Sequence, residues 1–174
     1  MDVGSEFLKS QVKSAVLQHG AIMSALEDHE EEADDPRFRD LCSRHILYMR
    51  EDQRMLEEYQ SQLAGDSAAE GIILGGVAEV MRELADSARE SDFTRLVHDI
   101  AMSRQVEDTF KTFREAGKMM GNRTLHEIGE IGERHHDAYA KEANRLAQHM
   151  FVERAQGVDG MKGRRPAAWI DARR

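Results

Sequence analysis

Length, composition and charge limit the kinds of protein that this chain can be. Its 174 residues suffice for one domain, and two prolines with no alternating runs of β-branched residues argue against a β-rich fold. Acidic residues outnumber basic ones, 33 to 24, and the net charge of −9 argues against nucleic acid as the main partner. The single cysteine, Cys42, and the absence of basic or apolar leader features in residues 1–6 favour a cytoplasmic protein. The longest apolar stretch, 72–78, is too short to cross a membrane, so we expect no membrane partner.

Apolar residues recur at helical spacing along most of the chain and predict four long helices. After an N-terminal extension over 1–7, which looks like a cloning scar, these helices cover 8–32, 36–64, 92–116 and 123–156. Asp35, Ser91 and Asn122 stand at expected N-cap positions. A shorter helix is predicted over 72–89, a turn over 117–121, and a flexible basic tail over 157–174.

The lengths of the connections predict the topology of the bundle. The first and second helices are joined by a tight link, as are the third and fourth, so each pair should form an antiparallel hairpin. The long connection between the pairs can cross the bundle, because 18 helical residues span roughly 27 Å. The sequence therefore predicts an all-α, up-down-down-up four-helix bundle over 8–156, with the short helix in the crossover.

Several ionisable residues occupy positions that the helical spacing turns inward. His19, Asp52, Glu107 and His136 lie near the midpoints of their helices, within about 5 Å of a common level at 1.5 Å per residue. Because isolated buried charges are costly, such a group should be paired or bound to a metal ion. Carboxylates mixed with imidazoles favour iron or manganese, with zinc as a third candidate. The additional or alternate ligands of this predicted site are His45, Glu133 and His135.

The chain resembles the ferritin-like superfamily, and most closely its bacterial stress-associated branch of small five-helix proteins. The resemblance covers roughly residues 10–155. It rests on the plan of two hairpins, on the glycine-rich segment 71–84, and on the motifs at 104–108 and 133–136. It implies a ferritin-like fold and a role in stress response or metal handling, with oxygen or peroxide as co-reactant if iron binds.

The resemblance also implies a set of metal ligands. The family takes a glutamate from each of two helices and a Glu-x-x-His pair from each of the other two. Glu107 matches the glutamate of the third helix, and Glu133 with His136 matches one Glu-x-x-His pair. The chain departs from the pattern at Arg54, where a histidine belongs, and at His19, where a glutamate belongs. This chain therefore offers fewer carboxylate ligands than the family pattern of a di-iron-type oxidoreductase requires.

Interpretations of the chain that involve no metal ion also stay open. The inward polar residues can instead form a closed hydrogen-bond network that fixes the helix register. The bundle can then serve in association, as a homodimer or higher homo-oligomer, through its surface helices or its basic tail.

Overall fold

The computed structural model describes residues 3–64 and 91–157, and within them all regular structure is helical. The four helices are α1 (Val3–Glu32), α2 (Pro36–Ala64), α3 (Asp92–Met120) and α4 (Arg123–Ala155). The all-α prediction is thus confirmed for these ranges. The predicted short helix over 72–89 and the tail beyond residue 157 lie outside the described residues.

The ends of the helices follow from local hydrogen bonding. Asp35 accepts a bond from the Arg37 backbone N–H (2.8 Å) at the start of α2, and Ser91 and Asn122 cap α3 and α4. These three N-cap predictions are confirmed. The turn predicted over 117–121 is wrong for most of its length, because α3 continues to Met120. It ends at Gly121, whose φ of 66° is a left-handed conformation that glycine adopts without strain.

The first helix is longer than the apolar spacing indicated. It begins at Val3 rather than near Leu8, so all but the first two residues of the predicted extension continue α1. Phe7, within that added part, is largely exposed. Residues 3–7 thus contribute little to the apolar face of α1, so the spacing of apolar residues did not predict that they are helical.

Contacts between neighbouring helices run in opposite sequence order. Along α2 and α4, Arg37 pairs with Glu153, Arg44 with Glu142, and Asp52 with His135. Between α1 and α3, His29 contacts Asp99, and Gln18 contacts Thr109. The α1–α2 and α3–α4 hairpins are also in contact along their lengths. Each helix therefore packs against two antiparallel neighbours around one core.

The core is built from apolar side chains of all four helices. Among the largest fully buried residues are Ile22, Phe38, Phe110, Leu125 and Tyr139. The helical spacing that predicts Phe38 and Leu41 to face inward also predicts this for Tyr48, and there it is wrong, since Tyr48 is 48% exposed. In the part of the chain that the structure describes, no helix has the length and apolarity needed to span a membrane.

Candidate metal centre

Three helices bring ionisable side chains together in the middle of the core. His19 on α1, Asp52 on α2 and His136 on α4 are each 0% exposed. One nitrogen or oxygen atom of each lies within 4.8 Å of those of the other two, and His19 Nε2 is 4.0 Å from Asp52 Oδ2. His19 Nε2, Asp52 Oδ2 and His136 Nε2 have no hydrogen-bond partner among the described residues. A buried polar atom without a partner costs about 1–3 kcal/mol, and a shared cation would satisfy all three.

The orientation of His19 is set by a chain of hydrogen bonds on α2. His19 Nδ1 lies 2.9 Å from Gln53 Oε1, and Gln53 Nε2 donates to Glu57 Oε1 over 2.6 Å. Since the amide nitrogen of Gln53 is engaged by a carboxylate, its oxygen faces His19 and accepts the Nδ1 proton. Burial lowers the pKa of His19, although Asp52 opposes this. The ring is therefore neutral, and its Nε2 lone pair is directed at the other two ligands.

Ser103 on α3 does the same for His136. Its Oγ lies 3.0 Å from His136 Nδ1 and donates to the His136 carbonyl oxygen over 3.3 Å. A hydroxyl has one proton, so when it donates to the carbonyl it accepts the proton of Nδ1. Burial lowers the pKa of His136 well below its usual value, with His19 and other nearby histidines adding to the effect. His136 thus also presents a free Nε2 lone pair.

Asp52 is held by the neighbour of His136 on α4. Its Oδ1 accepts a hydrogen bond from His135 Nδ1 over 2.8 Å, which leaves Oδ2 for the group of three. Burial raises the pKa of Asp52, while His135 and His19 act in the opposite direction. All three side chains therefore have one polar atom fixed by a neighbour and one left free. Outer partners of this kind orient the ligands in protein metal sites.

An aromatic ring closes one side of the group. The Phe110 ring centroid lies 5.7 Å from that of His19 and 5.5 Å from that of His136. Gly132 on α4 makes room for it, because a Cβ atom at this position would overlap the Phe110 ring. The ring lowers the local polarity, which strengthens the attraction between a cation and its ligands.

Three of the predicted site residues lie elsewhere. Glu107, with a side chain 17% exposed, is hydrogen-bonded to Arg104, and Glu133 is bound to Arg114. His45 contacts Glu142. The structure therefore brings together His19, Asp52 and His136, adds His135 as the partner of Asp52, and leaves both predicted glutamates paired with arginines.

The position of Glu107 follows from the rotation of α3 about its axis. The fully buried face of α3 includes Leu96, Asp99, Ser103, Val106 and Phe110. The helical spacing of the sequence predicts an inward face of Phe93, Leu96, Ile100, Ser103, Glu107 and Phe110, which shares only Leu96, Ser103 and Phe110 with this set. Glu107 follows Val106 directly and lies at the margin, where Arg104 reaches it.

Sequence reasoning missed the residues that orient the ligands. Ser103 lay on the predicted inward face, and a small hydroxyl residue between large apolar ones was a usable signal. Gln53 follows Asp52 directly, and the spacing gave no sign that both are buried.

A second buried polar cluster was also missed. Asp99 Oδ2 lies 2.9 Å from His29 Nδ1 and accepts a hydrogen bond from the Tyr139 hydroxyl over 3.2 Å. Burial raises the pKa values of both Asp99 and Tyr139. The cluster links α1, α3 and α4 at a level different from that of the metal-ligand group, and its contacts indicate a role in helix register.

The donor set determines what the group can bind. Two imidazole nitrogens and one carboxylate oxygen suit iron, manganese or zinc, whereas calcium and magnesium prefer oxygen ligands. Two-metal sites hold ions about 3.5–4 Å apart and need more carboxylates. With Glu107 and Glu133 bound to arginines, the described residues provide a ligand set for one ion.

Comparisons of the chain with models of known protein families, with curated proteins and with solved structures found no match.

Proposed function

We propose that this protein is a helical-bundle metal-binding protein that holds one divalent transition-metal ion in its core. The ligands are His19 Nε2, Asp52 Oδ2 and His136 Nε2. The observation that carries the proposal is the convergence of three fully buried side chains, each with one polar atom that has no hydrogen-bond partner within 3–64 and 91–157. Their fixed neighbours, Gln53 and Ser103 among them, support the same conclusion, because they leave a lone pair on each imidazole.

The charge and the distances fit a single ion. Two neutral imidazoles and one carboxylate carry a charge of −1, so a divalent cation pairs the buried carboxylate with an opposite charge and brings the net charge of the group to +1. Metal–ligand bonds of about 2.1 Å place two ligand atoms no more than about 4.2 Å apart. Since each of the three side chains has a nitrogen or oxygen ligand atom within 4.8 Å of those of the other two, small side-chain rotations suffice to bind the ion.

The ion would be iron or manganese, with zinc as a third candidate, and the role would be stress response or metal handling. When iron is bound, it supplies reactivity toward oxygen or peroxide. The chain's own residues bind and orient the ion, and Phe110 keeps water from one side of it. The proposal includes the ferritin-like up-down-down-up arrangement with a short helix in the crossover, and the antiparallel contacts of neighbouring helices support it.

Metal content and thermal unfolding test this proposal. Metal-depleted protein is loaded under anaerobic conditions with iron(II), manganese(II) or zinc(II), desalted, and assayed for bound metal. We expect one ion per chain. At a free metal concentration 100 times the Kd, the ion should stabilise the fold by about 2.7 kcal/mol. This corresponds to a rise in Tm of roughly 5–11 °C for a protein of this size.

Two variants and one control assign the site. Asp52→Asn keeps the size of the side chain and an acceptor for His135, and His136→Gln removes one imidazole. Both should lose the bound metal and the rise in Tm. His149→Gln replaces an exposed histidine on α4, the helix that carries His136, and should keep the bound metal and the rise in Tm. If the wild-type protein retains no metal, or if all three variants bind it equally, the proposal fails and the association function is favoured.

A further inference from the structure

Another buried imidazole lies near His19, Asp52 and His136 and points to how the ion arrives. His45 on α2 is 5% exposed, and its Nδ1 has no hydrogen-bond partner among the described residues. Its Nε2 lies 3.5 Å from Glu142 Oε1 on α4, and the Glu142 side chain is 37% exposed. This pair therefore joins a buried nitrogen ligand to a carboxylate that solvent reaches.

Tyr48 connects this pair to the inner group. Its half-exposed ring lies 6.2 Å from the His45 ring and 4.9 Å from the His135 ring, measured between centroids. His135, whose side chain is 12% exposed, holds the inner ligand Asp52. The ring of Tyr48 thus lies against one imidazole from α2, His45, and one from α4, His135.

Exposure of the side chains is highest at the outer end of this series of residues and lowest at its inner end. It is 37% for the Glu142 side chain, 6% and 12% for those of His45 and His135, and 0% for that of Asp52. A divalent ion cannot cross an apolar core without a large desolvation cost, whereas transfer between successive ligands keeps it coordinated throughout. Phe110 makes the opposite approach apolar. The face between α2 and α4 is therefore the less costly route.

Arg44 explains why the outer pair would hold an ion only briefly. Its Nη1 donates to Glu142 Oε2 over 2.7 Å, which leaves Oε1 facing His45. The guanidinium fixes the carboxylate and also repels a cation, so the outer pair binds more weakly than the inner group. A ligand pair on a transfer route needs this weakness, because tight binding would stop the ion before it reaches the core.

We propose that His45 and Glu142 form an outer, transient site for a divalent transition-metal ion, and that the ion passes from it beneath Tyr48, along His135, to the inner site. This inference rests on the proposed function. It assigns His45 a role in the rate of metal binding and none in the final affinity.

Metal-exchange kinetics test this route. Uptake is followed by stopped flow with buffered zinc(II), release is driven by excess chelator, and the Kd is measured separately. A route accelerates entry and exit equally, so its residues change both rates by one factor and leave the Kd unchanged. His45→Phe and Glu142→Gln should slow both rates about tenfold, which is ~1.4 kcal/mol of barrier. Tyr48→Ala, which removes the covering ring, should speed both.

Leu47→Ala is the matched control, because Leu47 is the exposed neighbour of Tyr48. It should leave uptake, release and Kd unchanged. If zinc(II) binds with wild-type rates and Kd in His45→Phe, Glu142→Gln and Tyr48→Ala, the route is refuted while the inner site stands. A changed Kd with an unchanged uptake rate also refutes the route, since the residues would then be ligands of the final site. If the wild-type protein binds no metal, both proposals fail.

Discussion

Replacing Gly129 by alanine tests the tightest helix contact of the fold. A Cβ atom at this position of α4 would meet the backbone of α3, including the Phe110 carbonyl oxygen at 2.6 Å and Arg114 Cα at 2.7 Å. Ordinary van der Waals contact starts at 3.4 Å. The two backbones must therefore separate by more than 0.8 Å, the difference between 3.4 and 2.6 Å for the Phe110 oxygen, because the Arg114 backbone nitrogen would lie closer still. Backbone atoms of a helix cannot rotate away, and the whole hairpin has to adjust.

The expected loss of stability follows from two opposing effects. Overpacking of a core costs ~1–3 kcal/mol, and the upper end applies where backbone meets backbone. Alanine is favoured over glycine in a helix by ~1 kcal/mol, which offsets part of this cost. The net loss for Gly129→Ala is therefore about 2 kcal/mol. For a protein of this length the Tm of the metal-free protein should fall by ~4–8 °C.

Gly20→Ala is the matched control on α1. Its Cβ would lie 3.7 Å from Gln53 Nε2, which is an ordinary contact. The same substitution should here raise the free energy of unfolding by ~0.5–1 kcal/mol. Circular dichroism at 222 nm during heating measures both variants. The packing argument is refuted if Gly129→Ala is as stable as the wild type, or if both variants shift the Tm in the same direction.

Three further predictions concern other parts of the bundle. Cys42 is fully buried and burial raises its pKa, so the native protein should resist a thiol reagent that labels the unfolded chain at once. Asn122→Ala removes an N-cap and a hydrogen bond to Tyr59, and should lower the stability measured by urea unfolding by ~1 kcal/mol. The hydrogen bonds from Arg37 lower the pKa of Glu153, so their stabilisation is present at neutral pH and lost as the pH falls through the lowered value. Arg37→Ala should therefore be less stable than wild type by ~0.5 kcal/mol at pH 7 and as stable as wild type in acid. An equal loss of stability at both pH values would contradict the assignment.

Much of the fold could be predicted because the helix signals are local. Ser91 and Asn122 cap helices through bonds to residues three positions later, so the sequence alone contains both partners. The end of α3 was harder to place. Gly117 suggested a turn, but the position is helical, and a Cβ there would overlap the His126 backbone of α4. Glycine is needed at this position because α3 and α4 approach each other closely there, and such an approach depends on how two helices pack.

The candidate site could be predicted only in part, for the same reason. Spacing placed His19 and Asp52 correctly at inward positions at mid-height, whereas on α4 it turned either His135 or His136 inward, and the fully buried one is His136. Glu107 was assigned to the same face, although α3 is rotated about its axis so that Glu107 lies at the margin of the buried face, where Arg104 of the same helix pairs with it. Such a rotation is decided by packing between helices. Ser103 illustrates the same limit, because its hydrogen bond to His136 cannot be predicted until α3 and α4 are packed together.

A crystal structure of the metal-loaded protein, with anomalous diffraction recorded at the absorption edge of the metal, tests the central claim most directly. We expect one anomalous peak in the core, about 2.0–2.2 Å from His19 Nε2, Asp52 Oδ2 and His136 Nε2. Gln53 and Ser103 should keep their hydrogen bonds to the two imidazoles. A peak at surface carboxylates alone, or a core in which these three atoms bind one another without a metal, would contradict the account.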